Sequence, residues 1–225
     1  MKAADSTQPS AERMRAERNE AMRYALLALM WLVWCFLHSA LISMRITAYV
    51  KRHLGDRFRY YRLFYNGFAL VTLIPVVVYA YHIGGEPLFS WEGTWRIGQA
   101  LLLALSLYLF LAGARHYDGQ AFLGFRQLKK RDSCVGLTET CALDTSGILG
   151  VVRHPWYAGG IMIIWARDLD LSALLTNLIL TGYFIVGSLL EERKLSAEFP
   201  DTYREYQKKV SMLFPYRWLK SKWKA

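Results

Sequence analysis

Cysteine is scarce in this chain. Cys35, Cys134 and Cys141 form no Cys-x-x-Cys pair and no zinc spacing, and an odd number leaves one unpaired. Free thiols are therefore expected, and no metal site. An internal repeat and a low-complexity tract are also missing. So is the pattern of a cleavable leader: residues 1–23 are polar and mixed in charge, and no small-residue cleavage site follows the first apolar run. The formal net charge is +10, yet the basic residues build no broad face of the kind nucleic-acid binding needs.

Apolar sequence is what the chain has in abundance. Of its 225 residues 54% are hydrophobic and 15% aromatic, too many for a soluble domain of this size. The runs predict an all-α integral membrane bundle of about five transmembrane helices. Residues 1–23 form a polar tail, disordered or lying as a surface helix. Residues 24–114 form a three-helix half, with spans at 24–44, 65–81 and 97–114. Pro75 is expected to kink the second span. Trp91 and Trp95 flank the third, where an aromatic belt belongs. Residues 115–225 form the C-terminal region, with a helical hairpin whose legs are 157–166 and 171–190.

Lysine and arginine alternate along the connections. There are six between the first two spans, then only Arg96, then six from Arg115 to Arg153, then only Arg167, then nine after Glu192. The positive-inside rule places the rich segments in the cytosol and the N-terminus on the opposite side. The expected setting is a bacterial inner membrane.

The hairpin carries charge that hydrophobicity does not explain. Arg153-His154-Pro155 opens one leg and Glu191-Glu192 closes the next. Proline lacks an N–H and restrains the residue before it, so a helix is expected to begin at Pro155. The free amides of its first turn, with Arg153, make a small anion site. The first leg covers roughly 15 Å and the second roughly 30 Å. Either the short leg starts inside the membrane and sinks Arg153 and His154, or the turn is submerged and Arg153 stays at the interface.

Other polar residues fall at the same cytosolic depth: His38-Ser39, Asn66 and Arg115-His116. Together they predict a cavity open to the cytosol. His38, Asn66 and Arg115 are its candidate catalytic, acceptor-side residues; a lone His38 is more often a hydrogen-bonded helix contact, and the shared depth is what favours the functional reading. After the hairpin, Phe199-Pro200 breaks the helix and Asp201 or Thr202 can cap a new one. Tyr203, Tyr206 and Val210 share a face that could close the cavity mouth. Phe214-Pro215 is expected to end that helix, and Trp218 and Trp223 among lysines read as an interfacial anchor. The run Lys129-Lys130-Arg131 is solvated or touches anionic head groups of membrane lipids.

The segment RHPWYAGG, followed by LLEERKLSAEFPDTYREYQKKVSMLFP, resembles the C-terminal region of the isoprenylcysteine carboxyl methyltransferase and phospholipid N-methyltransferase superfamily. The matching positions are Arg153, His154, Pro155, Tyr157, Gly159, Glu191, Glu192, Phe199, Tyr203, Tyr206 and Val210. Pro200 departs from the family's usual glycine. In the N-terminal half, His38-Ser39, Tyr61-Arg62-Leu63 and FLGFRQL are similar to the NnrU-like and thiol S-methyltransferase branch. That half does not match the eukaryotic prenyl-cysteine enzymes, which speaks against a prenylated protein substrate.

The resemblance implies S-adenosylmethionine as cofactor. It assigns Arg153 and His154 to the cofactor carboxylate, and Glu191 and Glu192 to its ammonium or ribose. Gly159 would allow close approach, Tyr157 would stack or donate its hydroxyl, and Gln127 of FLGFRQL would join the cofactor set. The expected reaction is methyl transfer to a small or lipophilic thiol, amine or carboxylate entering from the membrane. Two alternatives remain. One is a reductase of the NADPH-dependent sterol type, which would need more basic residues near Arg153 than Lys129, Lys130 and Arg131. The other is a non-catalytic membrane protein that kept the pocket.

Overall fold

The computed structural model of the protein describes residues 11–129 and 143–223. Lys130, Arg131, Cys134 and Cys141 lie outside the described residues. The first helix, α1 (Ala11–Ile42), already includes most of the expected polar tail. Residues 11–23 are rich in Ala, Glu, Arg and Met, all strong helix formers, and the helix runs through them without a break. Farther along it buries Leu27, Trp31 and Cys35, one stripe at four-residue spacing. The Ser43 side chain accepts from the Ile46 amide and starts α2 (Met44–Leu54), which buries no residue and lies on the surface. A 3-10 turn (Gly55–Tyr60) leads into α3 (Tyr61–His82), which holds Pro75 without ending there.

The connection at 83–94 returns the chain to α4 (Trp95–Ala114). Two short helices follow, α5 (Gly119–Leu123) and α6 (Phe125–Lys129), with Gly124 between them at φ 99, where a side chain would be strained. Then come α7 (Pro155–Trp165), α8 (Leu171–Glu198), α9 (Pro200–Lys209) and α10 (Tyr216–Lys222).

The fold is an all-α membrane helical bundle. Four helical segments are long and apolar enough to cross a membrane: Ala11–Ile42, Met44–His82, Trp95–Ala114 and Leu171–Glu198. The fifth expected span, α7, has only 11 residues. α1, α3 and α8 pack together, and α7 is wedged between α4 and α8. Leu27, Trp31 and Val76 form the centre of the three-helix group, and Trp31 Nε1 donates to Thr176 Oγ1 at 3.0 Å. The outward side of α4 (Leu101, Leu105, Tyr108 and Leu111) is exposed, as suits a lipid-facing surface.

The two legs of the hairpin align at the end bearing the charges. His154 meets Glu192, Tyr157 lies against Gly187, Gly160 against Phe184, and Asn177 bonds the Ile164 carbonyl. Arg153 therefore stands level with the end of the apolar run of α8 and is not sunk. The shortness of α7 appears at its other end, where the turn lies about six residues, roughly 9 Å, inside the start of α8. The 83–94 connection fills that hollow. Leu88 and Phe89 donate to the Leu169 carbonyl at 2.7 and 3.0 Å, and Trp91 bonds both Asp168 and the Arg167 carbonyl. This connection, the turn and the first half of α1 sit at one end of the bundle. α2, α5, α9 and α10 gather at the other, as the lysine and arginine alternation requires.

Candidate functional site

The backbone at 152–154 is held from outside the hairpin. Val152 pairs with Ser211 in a parallel bridge, and the amides of Arg153 and His154 donate to the carbonyls of Ser211 and Met212 at 2.9 and 3.1 Å. The tail thus returns as an extended segment. That corrects the expected end of α9, which stops at Lys209, well before Phe214-Pro215, with Val210 extended. Neither Asp201 nor Thr202 caps this helix. Phe199 ends α8 and precedes α9, and Pro200 takes the first helical position, where its missing N–H costs nothing. Tyr203, Tyr206 and Val210 do share a face, which is buried against Leu143, Leu195 and Phe199.

This docking brings a charged network together. Arg153 Nε and a terminal nitrogen bond Glu192 Oε1 at 2.7 and 2.6 Å, and its other terminal nitrogen reaches the carbonyls of Gln207 and Val210. Gln207 donates to Glu192 Oε2 at 2.8 Å, and His154 Nε2 lies 3.3 Å from Oε1. His154 and Glu192 are buried, and both carboxylate oxygens of Glu192 are engaged. A carboxylate at such a site persists only with this many partners. Its neighbour differs. Glu191 lies 3.8 Å from His154 Nδ1, and its side chain is one-third exposed.

Glu191 is the more exposed of the pair and lies beside the Tyr157 hydroxyl, and what surrounds it is aromatic and polar. The Tyr157 ring packs beside Gly187, one turn before Glu191, and edge-on to His154 at 5.6 Å. No side chain caps α7, so none takes the amides of its first turn. Tyr117 packs edge-on to Trp156 at 4.6 Å. Burial, then the charge of Glu191, pushes the Tyr117 hydroxyl well above the usual tyrosine range. Burial does the same to Tyr203, whose hydroxyl is enclosed without a partner. These phenols stay neutral and can donate. Behind them His116 Nδ1 meets Asp144 at 2.7 Å, and that bond, with the Ser146 amide, holds the Asp144 carboxyl down at about 2.

A second group sits where α1, α3 and α8 meet. His38 stacks on Trp34 with centroids 4.9 Å apart, its Nε2 lies 2.6 Å from the Tyr65 hydroxyl, and Tyr183 stands edge-on at 6.1 Å. Tyr183, Gly187 and Glu191 follow at four-residue spacing on α8, so one helix face links this group to the hairpin site.

The structure brings Arg153, His154, Tyr157, Glu191 and Glu192 together. It gives several other expected residues different work. Gly159 faces α4, where a Cβ would lie 3.2 Å from Phe110, and serves helix packing. Asn66 donates to the carbonyls of Phe122 and Leu123 and fastens α5 to α3. Arg115 is exposed at the end of α4. Gln127 donates to the Ala121 carbonyl, with its side-chain oxygen buried and unpartnered. Sequence reasoning missed Tyr117, Gln207, Tyr183 and Asp144. Only Tyr183 carried a signal, its spacing from Glu191.

A family model described as NnrU protein matches residues 15–214. Methanethiol S-methyltransferase 1 of Bradyrhizobium diazoefficiens is 46% identical over 67 residues, 29% of this chain and 24% of that one. A methanethiol S-methyltransferase of a Pseudomonas species is 31% identical over 144 residues, 58% and 51% of the two chains. Protein-S-isoprenylcysteine O-methyltransferase of Schizosaccharomyces pombe is 38% identical over 79 residues, 32% and 33% of the two chains. The chain thus spans about half the length, or less, of these relatives. No solved structure matches.

Proposed function

The chain belongs to the NnrU family, and from that premise and the site geometry we propose that it is a membrane methyltransferase. It uses S-adenosylmethionine and methylates a small or lipophilic acceptor reached from the bilayer. The supporting observation is the contrast within the Glu191-Glu192 pair: one carboxylate is saturated by protein, the other is open beside Tyr157 and an uncapped helix start. Glu191 suits an ammonium or ribose hydroxyls. The first amides of α7 suit a carboxylate. The enclosed Tyr203 hydroxyl is a further donor without a partner. Arg153 acts from behind, keeping Glu192 ionised and the tail docked.

When bound, S-adenosylmethionine supplies a methyl group on a positively charged sulfur, already activated for displacement. The protein's own part is placement and exclusion of water. The rings of Tyr157, Trp156 and Tyr117 wall the site, and aromatic faces favour a cation. His38 with Tyr65 and Tyr183 lines the acceptor side. The methyltransferase names of the relatives support the reaction class. Calorimetry with S-adenosylhomocysteine tests the reading, because that product keeps the carboxylate, ammonium and ribose. Wild-type protein should bind it, and Glu191→Gln should weaken binding about tenfold or more, a loss near 1.4 kcal/mol. Equal affinity in the two proteins would remove the basis of the proposal.

A further inference from the structure

We propose that Arg62 and Asn66 are positioning residues for the cofactor site. They hold α5 against α3 as a strap whose two rings, Tyr117 and Phe122, fix Trp156 at the start of α7. This rests on the methyltransferase reading above and extends its site to two residues outside the charged network.

The strap begins at α3. α5 is a five-residue helix, and the carbonyls at its end need partners from elsewhere. Asn66 Nδ2 donates to two of them, Phe122 at 3.1 Å and Leu123 at 3.0 Å, and Arg62 Nε donates to the Phe122 carbonyl at 3.1 Å. The Arg62 guanidinium also lies over the Phe122 ring at 5.6 Å and the Tyr65 ring at 5.5 Å. Gly124 ends α5 in the left-handed region, and a Cβ there would lie 3.0 Å from the Leu63 amide nitrogen. The corner is thus seated on α3 at a distance that suits glycine.

The strap is braced from within. Asp118 Oδ1 accepts from the Gln120 and Ala121 amides at 2.9 and 3.0 Å, its other oxygen takes Arg126 of α6, and Gln127 of α6 donates to the Ala121 carbonyl at 3.0 Å. A shift at its α3 end is therefore passed along the corner.

Both rings end on Trp156. Tyr117, the residue before the Asp118 cap, meets the indole edge-on at 4.6 Å, and Phe122 meets it edge-on at 5.3 Å. From α4 the indole is held by its Nε1 bond to the Phe110 carbonyl at 3.1 Å, and a Cβ on Gly113 would come within 2.6 Å of that nitrogen. α4 leaves the ring no room to retreat, so the strap sets its remaining freedom. Trp156 is the second residue of α7 and precedes Tyr157, so the seat of its ring fixes the first turn beside the charged pair. α3 packs on α1 and α8, and α4 on α7, so α5 ties these groups at the end where the site lies.

Two readouts on the full chain in detergent test this. One is calorimetry with S-adenosylhomocysteine. The other is fluorine NMR of protein carrying fluorotryptophan, with the Trp156 line assigned by Trp156→Phe. Asn66→Leu and Arg62→Met should each move the Trp156 line in the direction that Phe122→Ala moves it. Asn66→Leu and Phe122→Ala should each weaken binding about fivefold, and the double variant no more than either alone, because one acts through the other. Arg62→Lys should stay within about twofold of wild type, as should Lys220→Gln. Additive losses would overturn the proposal, as would a moved line with unchanged affinity. Phe122 is 39% exposed, so Phe122→Ala keeps the test open if the α3 variants fail to fold, and an unmoved Trp156 line there refutes the strap. If the product does not bind wild-type protein, the methyltransferase reading falls, and the line still decides whether α3 sets Trp156. If it binds and no variant changes line or affinity, the strap falls and the reading stands.

Discussion

Both ends of the short helix α7 have an arginine, exposed at Arg167 and largely enclosed at Arg153, and the two are held differently. At the Arg167 end the guanidinium is met by neutral acceptors: a terminal nitrogen donates to Asn177 Oδ1 at 2.7 Å and to the Ala173 carbonyl at 3.3 Å. The acids nearby have separate duties, Asp168 on the Trp91 amide and Asp170 capping α8. At the inner end Arg153 meets a full carboxylate, and a second carboxylate beside it remains open. The outer end is closed by its own loop. At the Arg153 end one carboxylate, Glu192, is fully engaged by protein groups, and its neighbour Glu191 is one-third exposed.

The comparison predicts unequal responses to mutation. Removing Glu192 leaves Arg153 buried without a counter-charge, a loss of about 3–5 kcal/mol. Thermal unfolding of Glu192→Ala in detergent should therefore start well below wild type. If it falls no further than Arg167→Met does, the inner network is not the stronger one. The Arg167→Met variant unpairs the Asn177 oxygen and should cost about 1–3 kcal/mol. Its affinity for S-adenosylhomocysteine should nevertheless stay within about threefold, under about 1 kcal/mol. A larger drop in calorimetry would mean the outer end communicates with the site. Glu191→Gln should show the opposite profile, with affinity down about tenfold and the unfolding midpoint nearly unchanged.

The smallest effect is one of pH. The Asp144 carboxyl is held down at about 2 by the His116 bond and the Ser146 amide. Its folded pKa lies below the ordinary value near 3.9, so its contribution is complete above that value and is lost as pH falls through about 2. The pair is partly exposed and contributes at most about 1 kcal/mol, roughly 2–4 °C in a chain of this size. Asp144→Asn should flatten the dependence of the unfolding midpoint between about pH 5 and 2. An identical slope in wild type and variant would assign the acid sensitivity elsewhere.

The sequence made the hairpin site legible because its parts break local rules. Arg153-His154-Pro155 and Glu191-Glu192 bound apolar runs where charge is costly, and helix-starting proline fixes the register. The contacts of Asn66 and Gly159 were not legible, because depth or sequence position along a helix says nothing about which side a residue faces. Asn66 fastens a short helix that hydrophobicity does not announce, and Gly159 turns to α4. Tyr117, Asp144 and Gln207 were illegible for another reason. Tyr117 and Asp144 reach the site from connections and Gln207 from α9, whose docking against the hairpin no periodicity encodes.

By itself, then, the sequence determined an all-α membrane bundle and the identity of the charged pair. Those follow from hydrophobic length and from the cost of burying charge, both of which are local. Tertiary structure decided that α7 is wedged between α4 and α8 with its short end at the outer turn. It also decided that Arg153 serves Glu192, leaving Glu191 open. Two adjacent glutamates on one helix point about 100° apart. Only the packing of α7 and of the returning tail determines which of them meets a guanidinium and which stays partly exposed.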